Sequence, residues 1–275
     1  VRSSGGWAKD KLDILTCYSN AFALATKKAD GGAFIDGYAG PGLNFIRDTS
    51  EVRPGSPIIA LQARFGKVFL IERNPKAARR LRDHLAQTAA SEVEVVEGDV
   101  NVEVFNCLAQ IESWRPVLVF LDPTRADLEW STVERIASHD ETRRTTKPEL
   151  LINFPSDFDL LRKFRIGRGP AAPDRISAFF GTDEWQDLES VKLRGMGARV
   201  TAQTRKELLE LYAKRLREVL GYRHGPLVRP IRARSSRGRT CYFLVFVSDH
   251  PLGEKLMRHC FGKTSDGQTQ LALDC

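Results

Sequence analysis

Apolar positions along this chain follow two alternating patterns. Short, nearly continuous apolar runs alternate with longer stretches in which apolar residues recur every three or four positions. The first pattern suits buried parallel strands and the second amphipathic helices. The runs 33–36, 68–72, 93–97, 117–121 and 149–155 predict five strands. Leu15, Tyr18, Phe22 and Ala25 predict a helix over 7–28, stopped by Asp30-Gly31-Gly32. Ser56 as cap with Pro57 behind it opens a second helix. Asn74-Pro75 opens a third, with Ala78, Leu81 and Leu85 facing inward. Val104, Leu108 and Ile111 mark a fourth over 101–112, and a Ser131–Glu134 capping box predicts a fifth over 132–139.

The alternation breaks over 156–200, which reads as an insertion containing a short helix capped by Asp174. A second capping box, Thr204 with Glu207, opens a long helix running to Gly221. Strands at 226–233 and 240–247 then flank the turn residues Ser235-Ser236-Arg237-Gly238 and predict a hairpin, followed by a last helix over 252–261. Five strand–helix units and a terminal hairpin define an α/β chain: a mostly parallel seven-stranded sheet with helices on both faces. Its length fits one domain over 1–275, with the N-terminal helix and the insertion as additions.

Composition narrows the class. Of 275 residues, 42% are hydrophobic and 28% charged, as in ordinary globular proteins, and no apolar run approaches the ~18 residues of a membrane span. The N-terminal residues carry no apolar signal-peptide core, so a cytoplasmic location without membrane partners is expected. Five widely spaced cysteines without C-x-x-C predict reduced thiols, and with five scattered histidines no metal centre is expected. The net charge of +7 suits an anionic partner, nucleic acid first, or serves solubility alone.

Candidate chemistry gathers at strand ends. The first strand closes on Asp36 and runs into Gly37-Tyr38-Ala39-Gly40-Pro41-Gly42, a turn able to approach a ligand closely. A loop over 43–55 covers this turn, and the next helix begins only at Ser56. Glu72, followed by Arg73, ends the second strand, where a carboxylate can bind two ribose hydroxyls. Asp99, followed by Val100, closes the third strand, either to meet an adenine amino group or as an ordinary turn residue. A pyrophosphate would find no helix N-terminus at the glycine turn. S-adenosylmethionine needs none, and the terminal hairpin separates the class I methyltransferase sheet from that of a dehydrogenase.

The residues also carry a family resemblance. Trp7 with Lys11-Leu12, the turn 34–42, Gly55-Ser56-Pro57, Ile71-Glu72-Arg73-Asn74, Gly98-Asp99 and Leu121-Asp122-Pro123 contribute. So do Trp130, Leu151-Ile152-Asn153-Phe154-Pro155, the run 179–185, the run 242–246 and Pro251-Leu252-Gly253. Together they resemble the three-Cys-motif partner (TcmP) family over nearly the whole chain. The resemblance implies a Rossmann-like class I methyltransferase fold and a partner protein bearing three cysteines, and it leaves the substrate open. Where that family shows an aromatic and a glycine after Asp-Pro, this chain has Thr124 and Arg125.

Across the cleft, Asp122 and the carbonyl of Pro123 are placed to orient an amine acceptor, or Asp122 hydrogen-bonds the cofactor. Arg125 offers stacking or an anion contact, and Asn153 either orients the acceptor or caps a loop. Within the insertion, Arg162, Lys163, Arg165 and Arg168 form a basic run, either a nucleic-acid surface or a solvated face. Three functions follow. The first is S-adenosylmethionine-dependent methyl transfer to N or O of an anionic or nucleic-acid acceptor. The second is transfer to a small molecule or partner protein. The third is a non-catalytic scaffold for the three-cysteine partner.

Overall fold

The computed structural model describes residues 2–86, 92–123, 127–155, 171–192, 201–232 and 240–262. Strand β1 (Arg2–Ser4) precedes helix α1 (Trp7–Ala25), a 3-10 turn (Lys27–Ala29) and β2 (Ala33–Asp36). Next come β3 (Leu43–Ile46), β4 (Glu51–Pro54), α2 (Ser56–Ala63), β5 (Lys67–Glu72) and α3 (Pro75–Leu85). Then β6 (Val93–Glu97), α4 (Val100–Leu108), β7 (Val117–Leu121), α5 (Trp130–Ala137) and β8 (Glu149–Pro155) follow. The chain continues through α6 (Ala171–Phe180), α7 (Glu189–Lys192), α8 (Ala202–Glu218), β9 (His224–Arg232), β10 (Thr240–Ser248) and α9 (Pro251–Gly262).

Seven strands form the main sheet in the order β6-β5-β2-β7-β8-β10-β9. The first five run parallel, while β10 lies antiparallel to both β8 and β9. The predicted α/β architecture with its terminal hairpin is therefore present. From β2 the chain winds outward through β5 to β6, then returns to place β7 on β2's other side. That reversal opens a crevice at the carboxyl ends of β2 and β7, the place where open α/β sheets bind ligands.

Alternation along each strand supplies two cores. Ile35, Val119, Leu121 and Ile152 face α4, α5 and α8. Phe34, Leu118, Phe120 and Leu151 face α1, α2 and α9. A strand buried on both faces has no polar side to show, and this explains the continuous apolar runs.

Several local expectations are corrected. The stretch 43–55 is not an irregular loop: β3 and β4 pair as a hairpin, and β1 joins β3 in parallel, giving a separate three-stranded sheet. Its half-exposed side chains gave no core pattern to read. Helix α1 ends at Ala25, which is exposed, while Leu15, Tyr18 and Phe22 are buried as expected. Gly55 occupies the cap position of α2, so Ser56 is its first residue. Helix α5 starts at Trp130 behind Glu129, so Ser131 is not its cap. Thr201, not Thr204, caps α8 by accepting the Thr204 N–H at 3.2 Å. Asp174 lies inside the first turn of α6. Finally, Cys17 on α1 and Cys260 on α9 form a disulfide across 243 positions, contrary to the expectation of reduced thiols. Packing of the two helices on one sheet face brings these distant residues together. Among the described residues no helix is long and apolar enough to cross a membrane.

Candidate functional site

The glycine turn after β2 is tied to strands on both sides. Gly37 donates its N–H to the carbonyl of Phe120 on β7 (2.9 Å), and Ala39 donates to that of Ile71 on β5 (2.9 Å). A Cβ on Gly37 would lie 2.7 Å from Val100 Cγ2 and 2.8 Å from Leu121 Cδ2, so the close approach requires glycine. Gly40 has φ +65°, and a Cβ there would meet nothing within 4 Å, because the space beside it is an open cavity. Asp36 is fully buried behind this turn. Its Oδ1 accepts the Tyr38 N–H at 3.0 Å, and its Oδ2 is buried without a hydrogen-bond partner. Burial pushes its pKa up to about 7, against the lowering influence of the Ser56 hydroxyl and the Tyr38 N–H. Asp36 thus shapes the turn from within and lines neither cavity described below.

Glu72 holds the turn from the other side. Its Oε2 accepts the N–H of Gly40 and its Oε1 that of Asn74, each at 2.7 Å. A carboxylate oxygen has a second lone pair, so both oxygens can still accept from a ligand. Asp99 caps α4 by accepting the Asn101 N–H at 2.9 Å, and its Oδ2 lies 3.4 Å from Arg73. These groups border a cavity of about 350 Å³, together with Gly37, Tyr38, Gly40, Val100, Asp122 and Asp127. Asp127 was not singled out from the sequence. Its carboxylate accepts from the Tyr38 hydroxyl at 3.4 Å, and burial raises its pKa.

A second cavity, about 240 Å³, lies on the far side of the turn. Ala39, Gly42, Ser56, Pro123 and Asn153 line it, as do Trp7 and Lys11 from α1, Arg47 from the segment between β3 and β4, and Tyr242 from β10. At its floor Asp122 is held from two directions. Asn153 donates Nδ2–H to Oδ1 at 2.7 Å, and the Lys11 ammonium donates to Oδ2 at 2.5 Å. Lys11 and Asp122 keep only 13% and 8% of their side-chain surface exposed. Such a shielded ion pair is screened far less by salt than a surface pair. The Lys11 ammonium also sits 5.5 Å from the Tyr242 ring centroid. Lys11 and Tyr242 entered the sequence reading only through the family resemblance, since no spacing links α1 to the end of β7.

The two cavities share Tyr38, Gly40, Pro41 and Asp122. Every predicted site residue among the described ones except Asp36 therefore borders one cavity or both. Arg125, Arg162, Lys163, Arg165 and Arg168 lie outside the described residues.

No protein-family model matches the chain, and no curated protein matches it. The three-Cys-motif partner resemblance thus rests on the residues quoted for it. Solved structures do match. Protein LPL1258 of Legionella pneumophila aligns over 91% of each chain with a TM-score of 0.51 and 12% identity. The methyltransferase domain of bacterial CtHen1-C matches 85% of this chain and 98% of its own, with a TM-score of 0.40 and 11% identity. TYW2 of M. jannaschii, solved in complex with AdoMet, matches 83% of this chain and 74% of its own, with a TM-score of 0.35 and 12% identity. At these identities the likeness is one of fold. The sheet order and the terminal hairpin agree with the LPL1258 match: the chain has a Rossmann-like α/β fold with a mostly parallel seven-stranded sheet.

Proposed function

We propose that this chain is an S-adenosylmethionine-dependent methyltransferase acting on a nitrogen or oxygen acceptor of an anionic, nucleic-acid substrate. The observation that carries the reading is the meeting of two chemically distinct cavities at Asp122 and the glycine turn, at the point where the sheet order reverses. The donor and acceptor set fits the cofactor. Glu72 would take the ribose hydroxyls, Asp99 and Val100 the adenine side, and the turn 37–42 the methionine side. The open space at Gly40 fits a turn that approaches a ligand closely.

When bound, S-adenosylmethionine supplies an electrophilic methyl group on a sulfonium. The protein's share is placement and charge. Asp122 lies at the boundary of the two cavities, where it can hold the acceptor atom and receive the proton that the acceptor loses. Asn153 fixes the carboxylate plane. Nucleic acid is favoured as acceptor by the net charge of +7 and by Arg47, an exposed cation at the second cavity. A role beside a three-cysteine partner remains an extension of the family resemblance.

The test is labelled-methyl transfer to a cell extract, fractionated into RNA, DNA, protein and small molecules. Label in the nucleic-acid fraction supports the reading, and label in protein or small molecules alone moves the acceptor class. If calorimetry shows no affinity for S-adenosylmethionine, the methyltransferase reading fails altogether.

A further inference from the structure

In the resting site Asp122 is not an open base. Its two oxygens are already engaged by Asn153 and Lys11, at 2.7 and 2.5 Å. Since an ionised carboxylate only accepts, Asn153 must turn its NH₂ toward Asp122. That orientation leaves Asn153 Oδ1 buried without a hydrogen-bond partner, in a side chain that lines the second cavity. Asn153 and Asp122 are hydrogen-bonded neighbours, so displacement of Lys11 would leave two acceptors side by side, Asp122 Oδ2 and Asn153 Oδ1. One nitrogen bearing two N–H groups can serve both, whereas a hydroxyl has a single proton to give.

Lys11 now occupies the first of these positions. Its ammonium reaches from α1 across the cavity, over the face of Tyr242, to end on Asp122. The lining includes the aromatic residues Trp7, Tyr38, Phe120 and Tyr242, with Pro123 and Pro155. A ring-bearing amine fits such a lining better than a flexible aliphatic one, because base–aromatic contact is paid by the flat face.

We propose that the Lys11 ammonium is a placeholder for the acceptor's amino group, and that the acceptor is the exocyclic amine of a nucleobase, which displaces Lys11 from Asp122 as it enters. This inference rests on the methyltransferase reading and deepens it. A primary amine donating one N–H to Asp122 and the other to Asn153 Oδ1 presents its remaining face to the neighbouring cavity. Lys11, once displaced, stays at the rim beside Arg47, where both cations can meet phosphate. The resting ion pair keeps a buried carboxylate paired until an acceptor arrives, avoiding the cost of an isolated buried charge.

The test measures binding, with S-adenosylhomocysteine present, of adenosine and cytidine, which carry an exocyclic amine, and of inosine and uridine, which carry an oxo group instead. Lys11→Met keeps the length of the side chain and removes its N–H groups. It should bind adenosine or cytidine at least tenfold more tightly than the wild type, with inosine and uridine unmoved. Equal gains for amino and oxo nucleosides, or no gain for any, overturn the inference. A second measurement uses the wild-type protein. Lys11 should resist amine-directed labelling when free and become labelled when adenosine or cytidine is bound, as read by peptide mass mapping. Unchanged protection in the saturated protein also overturns it. Titration of S-adenosylmethionine into the same samples separates the two failures. Cofactor binding without the nucleoside pattern removes only the Lys11 inference, whereas absence of cofactor binding removes the methyltransferase reading beneath it.

Discussion

Glu72 accepts the backbone N–H of Gly40 at 2.7 Å, joining the end of β5 to a turn 32 positions earlier. One carboxylate thus both braces the glycine turn and faces the cavity proposed for the ribose. Glu72→Ala should lower S-adenosylmethionine affinity at least tenfold. Loss of one hydrogen bond to a charged group is worth roughly 1.5–3 kcal/mol, and two backbone N–H groups lose their partner as well. Calorimetry reads this directly, and an affinity within twofold of wild type would remove Glu72 from the cofactor site.

Asp122→Asn should separate binding from transfer. The amide keeps the shape and can still meet Asn153, so cofactor affinity should stay within a few-fold. Methyl transfer should fall by about a hundredfold or more, the usual scale for a positioned acid–base group. Single-turnover rates at saturating cofactor check the claim. A variant that transfers at the wild-type rate would show that Asp122 serves only to hold Lys11.

Two buried acids should imprint a pH dependence on stability. Burial raises Asp36 and Glu149 to about 7. Glu149 sits at the start of β8, accepting hydrogen bonds from Tyr18 (2.5 Å) and Ser248 (2.7 Å). Between the ordinary carboxyl range and pH 7 the native state therefore holds more protons than the unfolded chain. Stability contributed by the neutral acids is full at the low end of that window and is lost as pH rises through 7. Each group accounts for about 3–4 kcal/mol across the window. Glu149→Gln, which cannot ionise, should gain on the wild type between pH 5 and pH 8 in urea-unfolding midpoints. Parallel curves for the two proteins would contradict this.

The Cys17–Cys260 link should be visible in unreduced peptide maps as joined fragments of α1 and α9. Reduction, or Cys260→Ser, should lower stability by about 2–5 kcal/mol, the usual cost of losing a native disulfide. Maps that show the two peptides separately would exclude the bond.

Much of the main sheet could be read from the chain because its strands are buried on both faces. The runs at Ala33–Asp36, Val117–Leu121 and Glu149–Pro155 leave no other packing for so many consecutive apolar residues. Strand-end acids were legible for the same reason, since a polar residue closing such a run must stand at the sheet's edge. What stayed hidden depends on contacts distant in sequence. The β3–β4 hairpin is half-exposed, so its alternation carries little apolar signal. The Lys11–Asp122 pair spans 111 positions and the disulfide 243, and neither follows from spacing. Capping boxes misplaced two helix starts, at Ser131 and Thr204, because a serine or threonine three positions before a glutamate also occurs inside helices. Side-chain hydrogen bonds settle the matter only for Thr201, through its bond to Thr204.

The described residues bordering the cavity at Glu72 all fall between Gly37 and Asp127, whereas the second cavity draws its walls from Ser3 at one extreme and Tyr242 at the other. Both cavities use the stretch from the glycine turn to Pro123, and the second adds walls from the N-terminal segment and α1, the end of β8, and β10. Trp7, Lys11, Asn153, Pro155 and Tyr242 border the second cavity alone, so substitutions there leave the lining of the first unchanged. On the proposed reading, α1 and β10 are the first places to look when comparing substrate range among proteins of this shape.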